Sequence, residues 1–313
     1  MAQRIKHLNV TAKLPDPQTD LPVFTVRSAS LDERRGAIET LGEHLELGRL
    51  GTFELKDSLH FGSQAGEVQF YRPSGALRAR NVAAGKAFDS EVRPWENLER
   101  SEDEEGVSIL VLGESTRKRL VERARAVLER AGLVSEHGFL AGVDLEQVAE
   151  LDAEGKQIGQ YAGEATVRYR YRLQEIAVAG AGAKSYLTFN PGARAPQLVG
   201  AFHAWREIVD ARAVRVRSAA QAVDQTLAVD RELIAYHKRG YTIELNRLDV
   251  VYYARPAFAY QTVVFPALRV KGRAMGNGEH GARGFEFARY VHVASPEDYA
   301  RADLFADYLM DPL

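Results

Sequence analysis

The chain has 313 residues, 45% of them hydrophobic, so it is long enough to form one large or two ordinary globular domains with buried cores. Its 41 basic and 43 acidic side chains give a net charge of −2, which provides no long-range field to attract nucleic acid or an anionic membrane surface. The absence of cysteine excludes a disulfide framework, a thiolate metal site and a cysteine nucleophile.

The first 22 residues are polar and contain three prolines, which predicts an extended arm with an edge strand at 8–12. No apolar run follows the first charges, so neither a signal peptide nor a transmembrane span is predicted. This leaves the compartment open: cytoplasmic for the chain as given, extracytoplasmic if a leader has been removed.

The first structured unit is predicted to be a strand, a helix and several antiparallel strands. Helical spacing of apolar residues defines the helix, and alternation defines the strands. These elements are the strand Val23–Val26, the helix Leu31–Leu47 capped by Ser28 or Ser30, the strand Thr52–Leu55, and the hairpin of Glu67–Tyr71 with Ala76–Arg80.

An acidic stretch from Glu96 to Glu105 has no apolar period and predicts a solvated loop. A calcium-binding or partner-binding loop is the alternative, although the glycine and the spacing of an EF-hand are missing.

A second unit repeats the order of strand and helix. Its strand Ala165–Leu173 alternates, with Arg168, Arg170 and Arg172 on one face. This basic stripe indicates a solvated face paired with acidic residues of the same chain, or a groove for single-stranded nucleic acid or an acidic peptide. The other elements are the strand Ser108–Leu112, a helix beginning at Ser115 or Thr116 and ending at Gly132, and a loop-like segment Leu133–Glu154.

The central hairpin, residues 182–208, consists of two alternating runs about an Asn-Pro-Gly turn and ends in a group of reactive side chains. In the structural interpretation, Trp205 packs in a core, Arg206 and Glu207 pair at its rim, and His203 is half-buried. In the catalytic one, His203, Arg206 and Glu207 act with Tyr169 or Tyr253, but no partner at triad spacing supports this.

A third unit begins at Val214–Ala220 and continues with strands and a glycine-rich loop at 276–284. That loop lies between strands, so a phosphate site at a helix N-terminus is not predicted. An aromatic segment from Tyr252 to Phe265 predicts core and edge packing, and any exposed part of it would be a ligand patch. The predicted elements are the helix Ala219–Lys238, the strands Tyr241–Leu245, Leu248–Tyr253, Thr262–Gly272 and Phe285–Val293, and a helix start at Ser295–Asp298.

The eight histidines are scattered, and none forms a ligand pair at metal-binding spacing. We therefore predict no metal site and no cofactor.

The central hairpin carries a resemblance to known modules. The run Ala183–Phe189, the turn Asn190-Pro191-Gly192, Leu198-Val199-Gly200 and Ala204–Ile208 resemble PepSY-like and thermolysin-propeptide-like modules and the two-module YycH and YycI regulators of sensor kinases. The resemblance covers about residues 165–271. It implies a helix packed on an antiparallel sheet in a protein that restrains a peptidase or a membrane sensor, and it supplies no catalytic residues.

The predicted class is α+β, because runs of several strands separate the helices. We predict two lobes, each an antiparallel sheet with a helix on one face: an N-terminal lobe with its arm at 1–105, and a C-terminal lobe at 106–313.

The leading functional prediction is a non-enzymatic protein that binds or regulates a protein or peptide partner through sheet edges or an inter-lobe groove. The alternatives are an enzyme with an inter-lobe site and a structural subunit of a larger assembly. The predicted binding residues are Arg168, Arg170, Arg172, His203, Trp205, Arg206 and Glu207.

Overall fold

The structure is a computed structural model that describes residues 5, 8–11, 20–85, 94–102, 108–191, 195–276 and 284–293. The predicted turn residue Gly192, most of the glycine-rich loop, and the helix start at Ser295–Asp298 lie outside these ranges.

Four helices and eighteen strands are placed within the described ranges. The helices are α1 (Leu31–His44), α2 (Glu114–Arg130), α3 (Ala219–Thr226) and α4 (Arg231–Lys238). The strands are β1 (Asn9–Val10), β2 (Asp20–Arg27), β3 (Gly51–Leu55), β4 (Ser58–Gly62), β5 (Gly66–Tyr71), β6 (Ala76–Asn81), β7 (Leu98–Glu102), β8 (Ser108–Leu112), β9 (Gly138–Leu151), β10 (Gln157–Leu173), β11 (Ile176–Ala179), β12 (Lys184–Asn190), β13 (Gln197–Ala204), β14 (Glu207–Arg215), β15 (Tyr241–Tyr253), β16 (Val263–Val264), β17 (Pro266–Gly276) and β18 (Gly284–His292).

One large sheet organises the fold. Its strands follow the order β18-β17-β15-β11-β10-β12-β13-β6-β5-β4-β3, with β9 beside β10 and β1 beside β15. The α+β class is therefore confirmed. The prediction of purely antiparallel sheets is wrong in detail, because β1 and β11 both pair with β15 in parallel.

The first hydrophobic core lies between α1, α2 and one face of the large sheet. Ile38 and Leu41 of α1 and Leu120 of α2 pack there with Val167 and Leu187 of the sheet. These apolar residues recur at helical spacing on the helices and at alternate positions on the strands, so each element presents one apolar face. Residues on both sides of position 105 contribute to this core, and the predicted two-lobe division stays a prediction.

The start of α1 is stabilised by the predicted serine cap. The Ser30 side chain accepts a hydrogen bond from the Glu33 amide, and the Glu33 carboxylate accepts one from the Ser30 amide. This reciprocal capping box satisfies two backbone donors that the helix leaves unpaired. The cap predicted for α2 is wrong, because α2 begins after Gly113 and has no side-chain cap.

A second core lies between α3, α4 and the strands β15, β17 and β18. The single helix predicted at 219–238 is wrong, because Asp230 interrupts it. The Asp230 carboxylate accepts hydrogen bonds from the amides of Glu232 and Leu233 and starts α4, after a 3-10 turn at Leu227–Val229. An N-capping aspartate begins a new helix more readily than it continues an old one.

A third cluster joins these cores near the junction of β10, β11 and β15. Strand β2 lies between β14 and β16 in a separate three-stranded sheet, and its Phe24 packs edge-on against Tyr252 of β15, with ring centroids 5.1 Å apart. The Tyr252 hydroxyl donates to the Pro22 carbonyl at 3.0 Å. The small sheet is thereby attached to the large one.

Two segments predicted as loops contain strands. The segment Leu133–Glu154 contains β9, which pairs along most of β10, and the acidic stretch contains β7, which pairs with β8. Both predictions of loop are wrong. Strands β4, β11 and β14 were not predicted.

Candidate functional site

The central hairpin places His203 inside the protein. Strands β12 and β13 bring His203 opposite Ser185, and the Ser185 hydroxyl oxygen lies 2.8 Å from Nδ1 of His203. The Tyr171 hydroxyl of the neighbouring β10 lies 2.6 Å from the same Ser185 oxygen. The three side chains are at most 3% exposed. They form a closed polar network within the sheet.

This burial decides the protonation state of the network. Burial, assisted by the positive charge of Arg34, lowers the pKa of His203 to about 3. Burial also raises the pKa of Tyr171 to about 12. At neutral pH the imidazole is therefore neutral and the phenol protonated. A serine and a histidine within hydrogen-bond reach resemble a nucleophile and its base, but a substrate would have to enter the core to meet them.

Sequence reasoning did not pair Ser185 and Tyr171 with His203. The signal lay in the strand register, since Ser185 faces His203 across β12–β13 and Tyr169 across β10–β12. Trp205 closes the network on one side, as its ring stacks on Tyr171 with centroids 4.2 Å apart and an interplanar angle of 4°. Packing of Trp205, as predicted, is confirmed.

The predicted ion pair between Arg206 and Glu207 is wrong. The buried Arg206 guanidinium donates instead to the carbonyls of Arg255 at 3.3 Å and Ala259 at 2.6 Å. Glycines 180 and 182 let the same loop approach: a Cβ on Gly182 would lie 1.8 Å from the Arg255 carbonyl oxygen, and Gly180 has a φ of +95°. Arg206 therefore clamps the loop at 254–259.

Glu207 belongs to a different group on the surface. It pairs with Arg27 across β14 and β2, and Arg27 also pairs with Glu33 at 2.8 Å. Hydrogen bonds from the Ser30 amide and from Arg27 lower the pKa of Glu33 to about 2. This chain of charges links the small sheet to the start of α1, and its exposure assigns it a structural role.

The three arginines of β10 lie on the face opposite the first core, as predicted. Arg168 pairs with Asp144 of β9, so the predicted intramolecular acidic partner is confirmed for this residue. Arg172 lies 4.1 Å from the Phe139 ring centroid and 3.6 Å from the Glu175 carboxylate. Arg170 lies beside Lys184 in the register of β10 and β12.

Around Arg170 the outer face of the large sheet carries a group that we call the cationic–aromatic patch. It spans β6, β13, β12 and β10, so it measures about 14 Å across the strands. At its centre the rings of Tyr186 and Phe202 stack with centroids 5.2 Å apart. The patch consists of Arg78, Arg80, Arg170, Lys184, Tyr186 and Phe202.

The register explains how these residues meet. Arg78 faces Phe202 across β6–β13, Phe202 faces Tyr186 across β13–β12, and Lys184 faces Arg170 across β12–β10. The Lys184 ammonium lies 5.6 Å from the Phe202 ring centroid, within cation–π range.

The charges of the patch are not balanced locally. Among the residues that the structure describes, none of Arg78, Arg80, Arg170 and Lys184 has an acidic partner within ion-pair distance. Burial lowers the pKa of Lys184, and the positive charge of Arg170 lowers it further. An anion placed here would relieve this repulsion.

A shallow cleft of about 80 Å³ lies within the patch. Arg78, Arg80, Tyr186, Thr188 and Gly200 are among the residues that line it, together with Glu164. Gly200 forms part of the floor, and a Cβ there would make only ordinary contacts, the nearest at 3.5 Å. The cleft can therefore be filled by substitution without distorting the backbone.

Each helix in the described ranges is too short or too polar to cross a bilayer. Within the same ranges, no three His, Asp or Glu side chains come together in a way that could hold a metal ion.

No family model matches the chain, and no curated protein matches it. Among solved structures, the chain is similar to the crystal structure of an uncharacterized protein from Eubacterium rectale ATCC 33656. The TM-score is 0.48 and the sequence identity 9%, over 93% of this chain and 90% of that one.

Proposed function

We propose that this chain is a non-enzymatic binding protein that holds an acidic polypeptide segment on the cationic–aromatic patch. The observation that carries the proposal is the group of four cations without a described acidic partner, set around a stacked aromatic pair. The catalytic alternative has less support, because His203 and Ser185 are buried together in the core.

Charge complementarity selects the class of ligand. Exposed carboxylates gain little from a single cation, but several converging cations add up and orient the ligand. Tyr186 and Phe202 add an apolar centre, so a segment that combines acidic and aromatic or aliphatic side chains fits best. The dimensions of the patch accommodate about four to six residues of an extended chain.

A longer polyanion is less favoured than a short acidic segment. The whole chain carries a net charge of −2, so it has no general field that would draw nucleic acid to the patch. A bound and restrained polypeptide also agrees with the predicted resemblance to PepSY-like modules and with a two-lobe arrangement, and both stay part of this proposal.

The test uses a fluorescein-labelled peptide of alternating glutamate and tyrosine, with fluorescence anisotropy as the measurement. The double variant Arg78→Gln/Arg80→Gln is expected to weaken binding at least about fivefold, since two ion pairs of about 0.5–1 kcal/mol each are lost. Gly200→Leu, which fills the cleft and keeps every charge, is expected to weaken it as well.

Arg117→Gln/Lys118→Gln is the matched control, because it removes two exposed charges from α2 on the helix side of the sheet. Equal affinities of the patch and control variants would refute the proposal, as would an affinity unaffected by salt between 50 and 300 mM.

A further inference from the structure

The segment that follows β18 has the chemistry that the patch requires. Residues 294–313 contain five acidic side chains and one arginine, together with Leu304, Phe305, Tyr308 and Leu309. Asp303, Asp307 and Asp311 recur every fourth residue, which is the spacing that aligns side chains along one helix face. An acidic stripe thus lies beside an apolar one, as cations lie beside rings in the patch.

The described chain ends close to the patch. Tyr290 of β18 stacks on Tyr253 of β15 with ring centroids 4.5 Å apart, next to the junction of β15 with β11. Tyr290 is near enough to the patch for the charge of Arg170 to act on it: burial raises the pKa of Tyr290, and Arg269 and Arg170 lower it. The chain therefore leaves β18 on the side of β10 that faces the patch.

The segment is long enough to cover the patch. From Arg170 on β10 to Arg80 on β6 is about 14 Å at the usual strand spacing. Twenty residues span at most about 66 Å when extended and about 30 Å as a helix. Either conformation reaches every cation of the patch.

We infer that residues 294–313 of the chain dock in cis on the cationic–aromatic patch, with their aspartates on Arg78, Arg80, Arg170 and Lys184. This inference rests on the proposed function, because it names an internal occupant of the same surface. A binding partner must then displace the segment. Its affinity is reduced by the fraction of molecules in which the patch is free.

Two measurements on the full chain test the inference. Carbodiimide, which joins an amine directly to a carboxylate, is expected to link Lys184 to Asp303, Asp307 or Asp311 within one molecule. The yield of this link, measured by mass spectrometry, is expected not to change with protein concentration. Asp303→Asn/Asp307→Asn/Asp311→Asn is expected to bind the glutamate–tyrosine peptide about tenfold more tightly than the native chain, which corresponds to a patch that is free about a tenth of the time.

The matched control is Glu39→Gln/Glu114→Gln/Glu122→Gln, which removes three exposed charges from α1 and α2 and is expected to leave the affinity unchanged. If no link forms and the aspartate variant binds the probe as the native chain does, the inference is wrong. The proposed function then stands as long as Arg78→Gln/Arg80→Gln still weakens the probe. A link that forms only between molecules would also overturn it, in favour of docking on a second copy.

Discussion

Replacing Ser185 with alanine should destabilise the protein strongly, because Ser185 is the middle member of the buried network. The substitution leaves the Tyr171 hydroxyl and Nδ1 of His203 without the partners at 2.6 and 2.8 Å. A buried polar group that loses its partner costs about 1–3 kcal/mol, so the expected loss in unfolding free energy is about 2–4 kcal/mol. Tyr171→Phe should cost about 1 kcal/mol, since Ser185 keeps His203 as its partner.

The double variant Tyr171→Phe/Ser185→Ala distinguishes a network from two separate contacts. Once the phenol is absent, Ser185→Ala no longer leaves the Tyr171 oxygen unsatisfied. The combined loss should therefore be smaller than the sum of the single losses by about 1 kcal/mol. Urea unfolding followed by tryptophan fluorescence measures all three, and Trp205 reports locally because its ring stacks on Tyr171.

Ser101→Ala, at an exposed position of β7, is the control and should change the unfolding free energy by less than about 0.5 kcal/mol. The reasoning fails if Ser185→Ala costs no more than this control, or if the losses of the two single variants simply add.

Two further predictions concern His203 and Arg206. The folded pKa of His203 is about 3, against about 6.5 in the unfolded chain, so its contribution to stability is complete above pH 6.5 and is lost as pH falls toward 3. Between pH 7 and pH 5 the native chain should lose about 2 kcal/mol that His203→Gln does not lose, and equal pH slopes in urea unfolding would contradict this. Arg206→Met removes the hydrogen bonds to the loop at 254–259 and should make this loop the first site of trypsin cleavage, at Arg255; Arg206→Lys should restore only part of the protection, since an ammonium cannot reproduce the planar fork. A cleavage pattern identical to that of the native chain would refute the clamp.

Local patterns predicted the elements that have one clearly apolar face. The hairpin of β12 and β13 alternates strictly, and α1 has a periodic stripe and a capping serine, so both were predictable. Strand β9 was missed because much of it is exposed on both faces and its sequence does not alternate. The break at Asp230 was missed because apolar residues continue on either side of it.

The site was less predictable than the fold. Arg170 was predicted as a binding residue, but Arg78 and Arg80 join it only through the pairing of β6 with β13, about 120 residues later in the chain. Local periodicity contains no information on such a pairing. The partners of Arg206 are backbone carbonyls, which any residue provides, so no side-chain pattern could have indicated them.

The glycines beside the Arg206 clamp offer a way to recognise distant relatives. A side chain at 182 would collide with the Arg255 carbonyl, and one at 180 would approach the Ala254 carbonyl oxygen at 2.2 Å. Any protein that keeps this loop against β12 therefore needs Gly-x-Gly just before that strand and an arginine just after the next one. At an overall identity as low as 9%, this three-residue fingerprint would be a more selective search criterion than the hydrophobic pattern of the sheet.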